Sequence, residues 1–128
     1  MKLAQRILGF VAVAFGLATI VAGGRVLAGA DPGYVVFRPL LFFNTAMGVV
    51  YVATGVITLR SVASGKLAAA AIFALNLLVL GIIGYVYATS SDVAIDSIRA
   101  MSFRTFVWLV VFLGLAWLDR GRHAPGSG

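Results

Sequence analysis

Charged residues in this chain fall in narrow bands, and the stretches between them are almost wholly apolar. Between Arg6 and Arg25 lie 18 uncharged residues, between Arg38 and Arg60 lie 21, and between Lys66 and Asp92 lie 25. A helix needs roughly 20 apolar residues to cross about 30 Å of hydrocarbon. These three stretches qualify directly. The fourth, Thr105 to Leu118, has only 14 uncharged residues, about 21 Å of helix at 1.5 Å per residue. It reaches full length if its helix starts near Ser97 and Arg104 snorkels toward the headgroups. A re-entrant segment is the alternative. The pattern predicts an all-α integral membrane protein, a bundle of four transmembrane helices with short loops. The spans are placed at about 5–25, 39–59, 67–89 and 98–118, in a single domain 1–120 followed by a mobile tail, 121–128.

Local signals fill in the connections. Asp31-Pro32-Gly33 reads as a turn in the first loop. The segment from Arg60 to Lys66 is short enough to make helices two and three an antiparallel hairpin. Ser90 or Ser91 would cap the helix leading into span four, with Asp92 near its positive end. Lys2 and Arg6 before an apolar run, with Ala28-Gly29-Ala30 beyond it, have the outline of a secretory signal. Arg25 breaks that outline, and the run is long enough to span, so a retained first helix is favoured.

Composition agrees with the bilayer. Of the 128 residues, 62% are hydrophobic and 11% charged, with a mean hydropathy of +1.06. A soluble fold of this size has too little interior for so much apolar surface. The charges then orient it. Lys2, Arg6, Arg60, Lys66, Arg120 and Arg122 fall on the side of the termini, and Arg25, Arg38, Arg99 and Arg104 on the other. Six cations against four put both termini in the cytoplasm. Abundant Ala, Val, Gly and Arg, with Lys scarce, suggest a GC-rich bacterial genome and hence an inner membrane. The net charge of +6 is a topological signal with an attraction to anionic lipid, not a nucleic-acid footprint. Aromatic residues, among them Tyr34, Tyr85, Tyr87, Phe103 and Phe106, gather toward the outer interface as a belt, and Trp117 lies near the inner end.

The chemistry is mostly exclusion. There is no cysteine and no glutamate. The four aspartates, Asp31, Asp92, Asp96 and Asp119, lie outside the uncharged spans, and the one histidine, His123, lies in the tail. Buried carboxylates for proton coupling, paired histidines for haem, and metal or catalytic clusters are missing. The expectation is a chain that is not an enzyme, with no catalytic residue, metal or cofactor. A few polar groups remain inside the spans. Asn44 and Asn76, with Tyr51, would form inter-helix hydrogen bonds or touch a ligand's head group. Arg38 and Arg104 would anchor at the outer interface or hold a lipid phosphate. Gly9 and Gly16, Gly48 and Gly55, and Gly81 and Gly84 mark flat faces for helix packing.

Phe37-Arg38 and Phe103-Arg104 are 66 residues apart, as are Gly48 and Gly114, and Tyr51 and Trp117. That offset points to two tandem helical hairpins. Four short-looped spans with Arg6-x-x-Gly9 at the start resemble the outline of small DoxX-like bacterial membrane proteins. The resemblance covers that outline, and no activity or residue is carried over from it. The functional expectation is a non-catalytic structural or accessory subunit of a larger membrane complex, in contact with lipids and larger subunits or self-associated. The alternatives are a binder of a lipid, quinone or pigment, or a homo-oligomeric transporter of an uncharged solute.

Overall fold

The computed structural model describes residues 2–31, 33 and 37–123. Every regular element among them is a helix. The four are α1 (Lys2–Leu27), α2 (Arg38–Arg60), α3 (Val62–Thr89) and α4 (Ile95–His123). Each is long and apolar enough to cross a membrane, with mean hydropathies of 2.2, 1.8, 2.5 and 1.8 over their most apolar stretches. The fourth stretch is no half-helix. α4 runs unbroken for 29 residues with Arg104 inside it. It also continues to His123, into the segment assigned to the tail. Residues 124–128 lie outside the described residues, as does Tyr34 of the aromatic belt.

The helix ends follow local chemistry. Pro39 occupies the first turn of α2, where an absent N–H costs nothing. Ser61 alone separates α2 from α3. Its backbone is extended, its N–H donates to Ile57 O at 2.8 Å, and its Oγ accepts from Ser64 N–H at 3.2 Å. One residue thus ends one helix and caps the next. The expected loop from Arg60 to Lys66 is therefore mostly helix, and Lys66 lies within α3. Ser90 closes α3 rather than opening α4: its N–H and hydroxyl both donate to Val86 O, at 2.8 and 3.1 Å. In the first connection Asp31 Oδ1 accepts from Gly33 N–H at 2.9 Å, and Gly29 and Gly33 both hold positive φ, a region glycine enters freely.

Neighbouring helices run antiparallel. α1 packs most extensively on α2, and α3 on α4. The α2–α3 interface is smaller, although those two helices share the shortest connection, and α1 touches α4 only lightly. The core centres on Tyr51 and Trp108, both fully buried, with Ile72 and Leu115 beside them. A second cluster at the loop end joins Leu40, Ile83, Val93 and Met101. Large apolar side chains such as Phe10, Leu78, Phe106 and Trp117 point outward, an arrangement water penalises and lipid does not.

Candidate functional site

The interior polar groups separate into two places. The first is central. Tyr51 and Asn76 are each 0% exposed. The Tyr51 hydroxyl donates to Asn76 Oδ1 at 3.3 Å, and Asn76 Nδ2 donates to the hydroxyl at 3.2 Å. Rings enclose the pair: Trp108 lies 4.9 Å from Tyr51 between centroids and Phe15 lies 5.5 Å away. An amide that meets a phenol across two helices satisfies both in a medium without water. This is an inter-helix tie, and it leaves neither group facing an open space.

The second place is a cavity of about 220 Å³ toward the loop end, between α1, α2 and α4. Ala22, Leu41 and Ala100 supply apolar wall, and Thr19, Asn44, Ser97 and Arg104 are its polar members. Helix geometry brings these four together. Ser97 and Arg104 are seven apart on α4, two turns on one face, while Thr19 and Asn44 come from the antiparallel α1 and α2. The hydroxyls differ in what they can still do. Thr19 donates its proton to Phe15 O at 2.8 Å, so its oxygen can only accept. Ser97 makes no side-chain hydrogen bond among the described residues. Asn44 Oδ1 is buried with no hydrogen-bond partner.

The other candidate residues divide similarly. Arg38 is exposed and does not line the cavity, so the two arginines are not brought to one site. Gly9 faces Gly55 and Gly16 faces Gly48. A Cβ built on Gly16 would stand 2.7 Å from Gly48 O, and one on Gly55 would stand 2.6 Å from Gly9 O. These four form a seam of touching backbones. Gly81 and Gly84 do not pack: a Cβ on either meets nothing within 4 Å. Their spacing marks no contact within this chain.

Three features lay outside the sequence reading. Thr19 and Ser97 join the cavity, and neither stood out because isolated hydroxyls are common in spanning helices. Lys66 Nζ lies 2.7 Å from Asp119 Oδ2 at the terminal end of α3 and α4. Opposite signs at the same membrane edge were the available signal. Gln5 Nε2 donates to Thr58 O at 2.8 Å, completing a carbonyl in the last turn of α2 that has no helical partner. A glutamine at the start of an apolar helix was the clue there.

Among the described residues no three His, Cys, Asp or Glu side chains gather as a metal site requires. No family model, curated protein or solved structure matches the chain. The functional reading therefore rests on the cavity and its lining.

Proposed function

We propose that this chain is a multi-pass membrane protein that binds one small amphipathic molecule of the bilayer in the cavity between α1, α2 and α4. The lining carries the reading. Apolar wall from three helices surrounds an amide, a hydroxyl and a guanidinium, the usual make-up of a site that holds an apolar body and orients a polar head. Tyr51 and Asn76 play no direct part, because they are occupied with one another. Asn44 and Arg104 make the contact.

The test is native mass spectrometry after gentle extraction with lipids retained. The expected result is one molecule bound per chain, lost in Ala100→Trp and in Ala22→Trp, each of which fills the cavity. A wild-type chain with no retained molecule would refute the proposal. So would one whose adduct survives both substitutions.

An accessory role in a larger complex is the second reading. The outward side of α3 favours it, where Gly81 and Gly84 leave backbone open beside exposed Leu77 and Leu78. Close backbone approach is how helices associate in lipid. Larger subunits in the same spectra would support it, and a chain that always travels alone would not. In either role we place the protein in a bacterial inner membrane with both termini in the cytoplasm, on the six-to-four excess of cations at that end.

A further inference from the structure

The cavity has a side door. An adjoining hollow of about 270 Å³ is lined by Phe15, Ala18 and Phe103, together with Thr19, Ala22, Ala100 and Arg104, which border both spaces. Four shared residues set the two hollows side by side. The second hollow lies between α1 and α4, which touch only lightly. Phe15 and Phe103, stacked 6.2 Å apart, bridge the two helices there. In a bilayer that opening faces lipid tails, not water.

The polar end is donor-rich and cationic. Arg104 brings N–H groups in a planar fork and a fixed positive charge. Ser97 brings a hydroxyl with no other hydrogen bond among the described residues, and Asn44 brings an amide. Thr19 has already committed its proton to Phe15 O. No carboxylate lines either hollow. A phosphate suits this end, with oxygens that match the guanidinium fork in pairs.

We infer that the occupant is a phospholipid, its phosphate held by Arg104 and Ser97 and an acyl chain leaving through the cleft over Phe15, Ala18 and Phe103. The inference rests on the binding role proposed above and names the class of ligand. A free phosphate has the same head chemistry but gains nothing from an apolar cleft that opens sideways.

The experiment uses the full chain, stripped of lipid, then offered phosphatidylglycerol and a phosphate-free diacylglycerol of the same acyl chains in equal amounts and read by native mass spectrometry. The expected result is one phosphatidylglycerol retained in preference by about tenfold or more, the size of a charge-assisted hydrogen bond of about 1.5–3 kcal/mol. Arg104→Gln should abolish the preference while diacylglycerol still binds. Arg38→Gln, at an exposed position, should leave it intact. If Arg104→Gln does not fold, Arg104→Lys should keep part of the preference and Ser97→Ala should lower it.

Equal retention of the two lipids would overturn the inference. An equal loss of preference in Arg38→Gln would reduce it to general surface charge, and displacement of the lipid by inorganic phosphate would reassign the site to a free anion. The binding role has its own signature. If diacylglycerol or another phosphate-free molecule fills the site in preference and Ala100→Trp expels it, the binding role stands and the phosphate falls. If nothing binds to the wild-type chain, both fall.

Discussion

Tyr51 and Asn76 give one another what hydrocarbon withholds. Neither has access to solvent, and the amide has no other partner among the described residues. Tyr51→Phe keeps the ring against Trp108 and Phe15 and removes only the hydroxyl. It should cost about 1–2 kcal/mol in reversible unfolding in detergent, because a buried amide loses its partner. Adding Asn76→Leu should recover part of that loss by removing the orphaned amide, and a Tyr51→Phe chain as stable as the parent would contradict the tie. The sequence singles out Asn44, Tyr51 and Asn76 by polarity alone. It could not say which pair meets, because that depends on the register of α2 against α3. Asn44 lies seven residues before Tyr51, about 10 Å along the same helix, and that distance moves it from the central tie to the cavity. Arg38 and Arg104 look equivalent for the same reason. Each follows a phenylalanine, but Arg38 opens α2 at an exposed end and Arg104 lies nine residues inside α4.

At the scale of elements, the glycines show what a spacing pattern can and cannot disclose. Gly9 and Gly16 repeat at seven residues on α1, and Gly48 and Gly55 repeat at seven on α2. Reversed against each other, both pairs meet in a single register, and the backbones close to contact. Gly16→Leu should therefore lower stability by about 1–3 kcal/mol or more, as overpacking does. Gly81→Leu, built into open space, should stay within about 0.5 kcal/mol of the parent. Thermal unfolding in one detergent compares the two, and an equal drop in both would dissolve the distinction. The pattern on α3 has no counterpart on a neighbouring helix, which is why its small residues find nothing. The start of α3 differs from expectation for another reason. Arg60 and Lys66 mark a membrane edge, and a charge band need not be a helix end. The backbone continues through that band with Ser61 as its only break, and Lys66 stays helical while it meets Asp119. α4 repeats the lesson in reverse. Counting uncharged residues shortened it, because Arg104 lies within the helix and is accommodated on the polar side of a cavity.

The whole molecule was the most legible level. Charge bands about 20 residues apart leave little choice but four helices, and four are present. Which helices embrace was less open to reading. The short connection makes α2 and α3 an antiparallel hairpin, yet the larger interfaces are α1 with α2 and α3 with α4, because close packing follows matched side-chain relief, not loop length. The 66-residue offset keeps sequence but not surroundings: Tyr51 is 0% exposed and Trp117 is 66% exposed. Topology has a direct check, since the chain has no native cysteine. Single cysteines at Ser64 and Ser91, both exposed at opposite ends of α3, should react with an impermeant maleimide from opposite faces of sealed vesicles. Ser64→Cys should label from the cytoplasmic face, and labelling of both from one face would break the four-span arrangement. The two tryptophans carry a further consequence. Trp108 is enclosed by Tyr51 and Phe15 in the middle of α4, while Trp117 looks outward nearer its C-terminal end. The chain thus holds two natural fluorophores with different audiences. Brominated acyl chains should dim Trp117 at once, and Trp108 should stay bright until the bundle parts.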